Sequence, residues 1–326
     1  MKAILCEHWC GPEDLKLVDL PDPVPAPGEV VIEIRAAALN FFDLLKIQGR
    51  HQIRPALPFC PASEFSGVIA RVGAGVSDLK PGDRVLARAG TGGASQQAAV
   101  AAKLVSKIPD NLDHDRAAGL TAIYTTALHA LSDRGNAQVG ESLVVLGAAG
   151  GTGLAAIEIG KLLGLRVIAC ASTDGKLEFC RAHGADILVN YARSDFKENL
   201  KRIGGERGID LVFDPVGGDR SEVALRSLGY GGRFLVIGFA AGDIPRIPLN
   251  LPLLKSCDIR GVFQWLFEER FPAHARSNMD QIIQWASDGK LSSHVHSIFP
   301  LERIKDALSI LSTGKAMGKV ILHPQG

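Results

Sequence analysis

The chain has 326 residues, of which 46% are apolar and 22% are charged, as in ordinary globular proteins. This length favours two domains at about 100–200 residues each. Lys and Arg total 36 against 35 Asp and Glu, so a net charge of +1 gives no electrostatic case for binding nucleic acid or an anionic membrane surface.

No stretch without Asp, Glu, Lys or Arg exceeds 16 residues, which is too short for a membrane-spanning helix. Glu7 interrupts the N-terminus too early for the apolar part of a signal peptide. The six cysteines form no Cys-x-x-Cys pair, which favours free thiols over a disulfide framework. We therefore expect a cytoplasmic protein with no membrane segment.

The first third of the chain reads as β structure. Short apolar runs at residues 30–36, 68–72 and 84–87 are bounded by Gly, Pro and Asp, and predict short strands. Residues 21–28 are rich in proline and predict an extended connector rather than a central strand. Several short strands at this spacing predict a small barrel.

The pattern of predicted elements changes near Asp113. A helix is predicted over residues 117–131, and from there strands and helices alternate as in a doubly wound parallel sheet. The predicted strands are residues 143–146, 167–171, 187–190, 211–213 and 234–238, and the predicted helices are residues 154–163, 176–183, 195–203 and 220–228. Two more helices, residues 280–287 and 301–312, and a final strand, residues 319–322, complete an α/β fold.

The sharpest local signal is a glycine-rich turn between the first predicted strand of this sheet and its helix. The fingerprint is Ala148-x-Gly150-x-x-Gly153, in which alanine replaces the usual first glycine. Backbone N–H groups at such a helix N-terminus hold a pyrophosphate. The strand before, the helix after and the further βα units predict a dinucleotide site.

The end of the second predicted strand indicates which dinucleotide binds. An NAD site usually has an acidic residue there to hold the ribose hydroxyls, whereas this chain has Ser172, with Lys176 four residues later. A hydroxyl and a cation favour a 2′-phosphate, so NADPH is predicted. Asp174 is the counter-argument, because it could serve as the ribose acid.

Over essentially its whole length, the sequence resembles the medium-chain dehydrogenase/reductases. Within them it resembles the zinc-free quinone oxidoreductase, or zeta-crystallin-like, branch. The motifs that carry the resemblance are, in chain order, residues 37–45, 57–67, 72–76, 81–85, 147–153, 186–191 and 318–322.

The resemblance implies a GroES-like barrel domain, residues 1–122 and 266–326, against a Rossmann domain, residues 123–265, with the cofactor in the cleft between them. It implies that Asn40 lies by the nicotinamide ribose and that Tyr191 joins Ser172 and Lys176 around the 2′-phosphate. The other implied cofactor-binding residues are Thr126, Gly150, Gly151, Thr152, Gly153, Phe239, Ala240, Phe263 and Lys319.

Three departures from the family pattern lie near the expected pocket. Relatives often carry tyrosine where this chain has His51; residues 61–64 read Pro-Ala-Ser-Glu rather than Pro-Gly-Ser-Glu; and residues 262–265 read Val-Phe-Gln-Trp rather than Val-Phe-Trp-Gly. Asn40 and His51 are the predicted polar residues of the substrate pocket.

The resemblance also implies where zinc would bind in other members of the superfamily. Asn40 stands at the first catalytic ligand position, Ser63 stands at the histidine position, and no cysteine lies between Cys60 and Cys170. Zinc prefers thiolate and imidazole ligands, so no metal site is expected. Glu64 is the one buried acid predicted nearby, most simply as a structural hydrogen-bond acceptor.

These observations predict an NADPH-dependent reductase of quinones or α,β-unsaturated carbonyls, with a small-molecule electron acceptor as its partner. Two alternatives stay open: a non-enzymatic NADPH-binding protein and an enoyl-thioester reductase. Residues 262–267 are apolar and aromatic and are predicted to form an edge strand. Since relatives dimerise through this edge of the Rossmann sheet, a homodimer is expected.

Overall fold

The structure is a computed structural model that describes residues 1–193 and 195–326. Its strands are β1 (Lys2–Leu5), β2 (Lys16–Asp19), β3 (Glu29–Leu39), β4 (Glu64–Val72), β5 (Arg84–Arg88), β6 (Gln97–Ala101), β7 (Val105–Lys107), β8 (Ser142–Leu146), β9 (Arg166–Ala171), β10 (Ile187–Asn190), β11 (Ile209–Asp214), β12 (Leu228–Val236), β13 (Asp258–Gly261), β14 (Val295–Pro300) and β15 (Lys319–His323). Its α-helices are α1 (Phe41–Ile47), α2 (His114–Ala118), α3 (Leu120–Leu128), α4 (Gly151–Leu162), α5 (Asp174–Ala182), α6 (Phe196–Gly204), α7 (Asp219–Ser227), α8 (Asn250–Lys255), α9 (Gln264–Arg270), α10 (Pro272–Ser287) and α11 (Ile304–Ser312).

The chain divides into two compact units, residues 1–122 with 279–326, and residues 123–278. The second boundary lies at residue 279, whereas the resemblance implies residue 266. Contacts made by α9 and α10 explain the difference. Phe267 stacks on His129 with ring centroids 3.9 Å apart, and Asn278 donates a hydrogen bond to Asp133.

In the first unit, a seven-stranded sheet runs in the order β14-β15-β3-β4-β5-β7, with β6 also paired to β3. The long strand β3 is its centre, since it pairs antiparallel with β4, β6 and β15. The register sets Ala38 opposite both Glu64 and Ile321. The end of β3 therefore lies beside the starts of β4 and β15, which brings Asn40, Glu64 and Lys319 together.

The second unit contains a six-stranded parallel sheet in the order β10-β9-β8-β11-β12-β13. This confirms the predicted doubly wound α/β fold. The strand order reverses between β8 and β11, and ligands of such sheets bind beyond the carboxyl ends of the strands at this point. The glycine-rich turn after β8 occupies that position.

Two predicted elements differ in the structure. The single helix predicted over residues 117–131 is α2, a break at Gly119, α3, and a π-helix at His129–Arg134. Gly119 packs tightly, because a Cβ added there would lie 3.0 Å from Lys319 Cγ. The edge strand predicted over residues 262–267 is also wrong: the edge strand β13 ends at Gly261, and helix α9 begins at Gln264.

No α-helix in the described part of the chain is long and apolar enough to cross a membrane.

The open edge of the parallel sheet generates a prediction about assembly. Ile259, on the edge strand β13, is 40% exposed, and the open edge of a sheet offers unpaired backbone groups to another chain. We expect the mass of a homodimer by light scattering at micromolar protein. Ile259→Lys should yield the monomer, because an edge lysine opposes strand pairing.

The matched control is Ile298→Lys, which changes a 47% exposed isoleucine on β14, an edge strand of the other sheet. This variant should remain dimeric. A monomeric wild-type chain would contradict the expected assembly, and a dimeric Ile259→Lys variant would contradict the role of β13.

Candidate functional site

A fully buried carboxylate, that of Glu64, is the centre of a polar cluster in the first unit. Its Oε1 accepts hydrogen bonds from Lys319 Nζ at 2.7 Å and Asn40 Nδ2 at 2.9 Å. Its Oε2 accepts from Thr121 Oγ1 at 2.6 Å and the Ala122 amide at 2.7 Å. Burial alone raises the pKa of Glu64, but the Lys319 ammonium and the hydrogen bonds outweigh it, so this pKa lies below its usual range.

The orientation of the Asn40 side-chain amide follows from its partners. Lys319 Nζ lies 2.7 Å from Asn40 Oδ1, and an ammonium only donates, so the amide oxygen must face Lys319. One Nδ2 hydrogen is bound to Glu64. The other makes no bond to any residue that the structure describes, so Asn40 retains one donor for a ligand.

A second buried cluster lies along helix α1 and the start of β4. Lys46 Nζ donates to Ser63 Oγ at 2.8 Å and to the Gly90 carbonyl at 2.7 Å, and Ser63 Oγ donates to Asp43 Oδ1 at 2.5 Å. Asp43 Oδ2 also accepts the backbone N–H of Asn40. Burial raises the pKa of Asp43 above its usual range and lowers the pKa of Lys46 below its usual range.

Ala62, the residue before Ser63, is one of the departures from the family pattern. Ala62 adopts a φ of +64°, in the left-handed region where glycine is favoured and other residues are strained. The glycine that relatives carry there suits this backbone better. In this chain the backbone is nonetheless held, because the Ala62 carbonyl accepts the Gly93 amide at 2.8 Å.

The residues at the implied zinc-ligand positions do not fit a divalent cation. Asn40 and Ser63 each accept a hydrogen bond from a lysine ammonium, and these positive charges would repel a metal ion. In residues 1–193 and 195–326, no three His, Cys, Asp or Glu side chains come together as a metal site.

His51, the other predicted pocket residue, is half-buried on the chain that follows α1. Its ring lies 5.9 Å from the ring of Phe42, and its Nδ1 is 3.0 Å from the Ile53 carbonyl and 3.1 Å from the Ile53 amide. Burial is the main cause that lowers the pKa of His51 below its usual range. This histidine is thus packed in the first unit, near the side of α1 that carries Lys46.

The individual glycines of the turn after β8 have roles that differ from those of the expected fingerprint. Gly147, with φ of +59°, makes the sharp turn, and a Cβ there would lie 2.7 Å from Val216 Cγ2. A Cβ on Gly153 would lie 2.4 Å from the Gly147 carbonyl oxygen, so Gly153 is needed for close helix–strand packing. Gly150 and Gly151 open α4, whose first N–H groups have no partner within the helix.

Ser172 and Tyr191 lie together, because they follow the neighbouring strands β9 and β10, and their side chains are hydrogen bonded. The guanidinium of Arg220 lies over the Tyr191 ring, 4.3 Å from its centroid. Burial raises the pKa of Tyr191, partly offset by the charge of Arg220. Arg220 forms no hydrogen bond or ion pair with any described residue, so its donors are available to an anion.

Arg220 is a residue that the sequence reasoning missed. The available signal was its place in the first turn of the helix after β11, beside the switch point of the sheet. Lys176 lies half-buried in the first turn of α5. Asp174, the alternative ribose acid, accepts hydrogen bonds from Asn190 Nδ2 and Arg193 Nη2, both at 2.9 Å.

The other predicted cofactor residues lie on α3, in the turn of α4 and in two loops. Thr126 on α3 and Thr152 on α4 are half-buried. Phe239 and Ala240 follow β12, and the Ala240 amide already donates to the Pro215 carbonyl at 3.1 Å. Phe263 precedes α9 and is 50% exposed. Their roles toward a cofactor stay predictions.

Comparison with known proteins supplies the family. Residues 26–110 match the model of the alcohol dehydrogenase GroES-like domain, and residues 151–281 match that of the zinc-binding dehydrogenases. The chain is 38% identical over 323 residues to quinone oxidoreductase-like protein 2 of Bos taurus, covering 98% of this chain and 92% of that protein. It is 32% identical over 329 residues to the quinone oxidoreductase of Homo sapiens, covering 99% and 97%.

The chain belongs to the quinone oxidoreductase family of the medium-chain dehydrogenase/reductases. The crystal structure of Escherichia coli quinone oxidoreductase complexed with NADPH superposes with a TM-score of 0.92 at 26% identity, covering 99% of this chain and 100% of that one. The predicted family and the GroES-like plus Rossmann fold class are thereby confirmed. The name of the second family model describes its zinc-binding members, whereas this chain places lysine ammonium groups at the implied ligand positions.

The buried ion pair of this quinone oxidoreductase-family chain generates a stability prediction. Lys319→Met leaves the charge of Glu64 buried without its cation, so the free energy of unfolding should fall by about 3–5 kcal/mol. Lys319→Met with Glu64→Gln should recover much of the loss, because no uncompensated charge remains. Urea unfolding at neutral pH measures both effects. Additive losses in the double variant would mean that the two groups are not coupled.

The same interaction fixes the sign of a pH dependence. Folding lowers the pKa of Glu64, so its contribution is present above the pKa of the unfolded chain and is lost as pH falls through the folded value. The difference in unfolding free energy between wild type and the double variant should therefore shrink in acid. A difference that is unchanged down to pH about 3 would contradict this linkage.

Proposed function

We propose that this protein is an NADPH-dependent reductase that transfers a hydride to quinones or α,β-unsaturated carbonyls without zinc. The observation that carries the proposal is made at Asn40 and Ser63, the implied zinc-ligand positions. Each of these side chains accepts a hydrogen bond from a lysine ammonium group instead of facing a metal ion. Ammonium groups held beside these two side chains can stabilise an acceptor oxygen as it becomes anionic. Family membership supports the oxidoreductase class.

NADPH, when bound, supplies the hydride. Gly151 presents the first N–H group of α4 to its pyrophosphate, and Gly150, at the N-cap, has no side chain to obstruct the approach. Ser172, Tyr191 and Arg220 form a polar group suited to a 2′-phosphate. The NADPH in the Escherichia coli relative supports this choice. The roles carried over from the family for Thr126, Thr152, Phe239, Ala240, Phe263 and Lys319 belong to the same proposal.

Asn40 is the residue best prepared to orient the acceptor. Its amide is fixed by Glu64 and Lys319, and one N–H remains for a ligand oxygen. A donor held before the substrate arrives stabilises the developing charge without reorganising. His51 is the second polar candidate, and it can add a proton as well as a hydrogen bond.

A turnover screen tests the proposed function. NADPH oxidation is measured with ortho-quinones, para-quinones, alkenals and enoyl thioesters, with the chain purified in a chelator. We expect turnover with a quinone or an alkenal. Turnover with enoyl thioesters alone would identify the enoyl-thioester reductase instead. Binding of NADPH without turnover in any class would identify the non-enzymatic alternative.

The cofactor preference depends on Arg220. Arg220→Gln removes a charge-assisted phosphate contact worth about 1.5–3 kcal/mol, so NADPH should bind roughly 10- to 150-fold more weakly. NADH, which lacks the phosphate, should bind as before. Lys176→Ala should act in the same direction. Fluorescence titration with both cofactors measures these changes.

The matched control for this series is Arg226→Gln, on the same helix but paired with Glu222. It should leave both affinities unchanged. Equal affinity of the wild-type chain for NADPH and NADH would contradict the proposed phosphate site, as would an Arg220→Gln variant that weakens both cofactors equally.

Metal independence follows from the ammonium groups of Lys319 and Lys46, which donate hydrogen bonds to Asn40 and Ser63. Elemental analysis of protein purified without added metal should find no stoichiometric zinc, and a chelator should leave turnover intact. Loss of turnover to the chelator, followed by recovery on adding zinc, would contradict the proposed mechanism.

A histidine that donates to the acceptor oxygen gives a pH dependence of known sign. The protonated form stabilises the anion better, so kcat/KM should rise as pH falls through the pKa of His51, which burial holds below its usual range. His51→Phe should flatten this rise, whereas His8→Phe, at an exposed position, should not. Superimposable profiles for wild type and His51→Phe would remove His51 from the mechanism.

A further inference from the structure

The Lys46 ammonium is buried but not fully bonded. Its residue is only 7% exposed, and two of its three N–H groups are bound, by Ser63 Oγ and by the Gly90 carbonyl. The third makes no hydrogen bond to any residue in the described ranges. The ring of Phe42 lies 5.1 Å from Nζ, so the ammonium is directed by packing as well as by its two acceptors.

The surroundings of Lys46 favour loss of its proton. Burial lowers its pKa, and the charge of Arg88 acts in the same direction, while Asp43 opposes them. His51, on the following chain segment, is close enough for its own pKa to respond to Lys46. Asp43 is already bound by Ser63 Oγ and the Asn40 amide.

The Lys46 cluster is joined by hydrogen bonds to Asn40, the residue proposed to orient the acceptor, because Ser63 Oγ and the Asn40 amide both donate to Asp43. Ser63 begins the segment that leads to Glu64, and Asn40 joins the two clusters through its bonds to Asp43 and Glu64. Hydride addition leaves an anionic oxygen on a quinone or an enone. The Asn40 amide cannot release a proton to that oxygen near neutral pH, whereas the Lys46 ammonium and a protonated His51 can. Lys46 is the one of these two whose hydrogen bonds reach Asn40 through Ser63 and Asp43, while His51 Nδ1 lies against Ile53.

We propose that Lys46 is the proton donor of the reduction, a catalytic residue whose third N–H bonds the acceptor oxygen. This inference rests on the proposed function. After the hydride has brought two electrons to the acceptor, the Lys46 N–H bond breaks and an O–H bond forms. The electron pair of the N–H bond stays on nitrogen as a neutral amine, and water restores the proton. Lys46 itself is neither oxidised nor reduced.

Two variants and two acceptors separate proton delivery from hydride transfer. Lys46→Arg keeps a positive charge and hydrogen-bond donors, but a guanidinium does not release a proton in this pH range. Lys46→Gln removes both charge and proton. A para-quinone needs hydride and proton, whereas N-methylacridinium becomes neutral on accepting hydride and needs no proton.

We expect both variants to reduce the para-quinone about 100-fold more slowly, the range of general acid catalysis, with acridinium reduction retained. NADPH affinity should be unchanged. For wild type, kcat with the quinone should fall as pH rises through the pKa of Lys46, and Lys46→Arg should lack this limb. Lys103→Arg, at an exposed position of the same unit, is the matched control and should behave as wild type.

A measurement without turnover completes the test. Carbon-13 NMR of the chain labelled at lysine Cε should show one resonance, absent from Lys46→Arg, that titrates below the other lysines. If Lys46→Gln fails to fold, Lys46→Arg carries the comparison. Full quinone turnover by Lys46→Arg overturns the proposal, and so does an equal loss with both acceptors. Wild type that turns over neither acceptor instead contradicts the proposed function, and the role of Lys46 with it.

Discussion

The arrangement of the first unit depends on one buried carboxylate. Glu64 accepts four hydrogen bonds, from Lys319, Asn40, Thr121 and Ala122, which come from three separate stretches of the chain. A buried carboxylate is tolerated only when such partners replace water. The requirement to satisfy Glu64 therefore fixes the end of β3, the starts of β15 and α3, and the orientation of the Asn40 amide at once.

The two buried carboxylates of the first unit have opposite electrostatic environments. Glu64 has an ammonium and three further donors, so its pKa is lowered despite complete burial. Asp43 has weaker compensation, so burial prevails and its pKa is raised. One carboxylate is thus a fixed negative charge that organises Asn40 and Lys319, while the other shares a small network with Ser63 and Lys46. Neighbouring titratable groups with opposite shifts are typical of sites that move protons.

The sequence predicted most reliably what local pattern encodes. The alternation of apolar strands and helices after Asp113 gave the parallel sheet, and the glycines before α4 gave the turn at its switch point. The edge strand was predicted at residues 262–267, rather than at β13, because these residues are as apolar as a strand. Only the tertiary stack of Phe267 on His129 shows that they lead into helix α9. Apolar content alone does not separate these cases.

The site was less predictable, because its contacts are made across the chain. Asn40, His51 and Lys319 were available from the family resemblance, but Lys46 and Arg220 were not. Lys46 reads as a solvent-facing residue of α1 until the Gly90 carbonyl and Ser63 are placed against it. The role of Arg220 is visible only beside Tyr191, which follows β10, three strands away from β11 in the sheet. Long-range register, rather than residue type, decides both cases.

The most direct test of this account is the ionisation of the two buried carboxylates. Carbon-13 NMR of chains labelled at the Asp and Glu carboxyl carbons, with Glu64→Gln and Asp43→Asn to assign the signals, measures each titration in the folded protein. We expect Glu64 to titrate below the usual glutamate range and Asp43 above the usual aspartate range. Two carboxylates that titrate together in their usual ranges would contradict it.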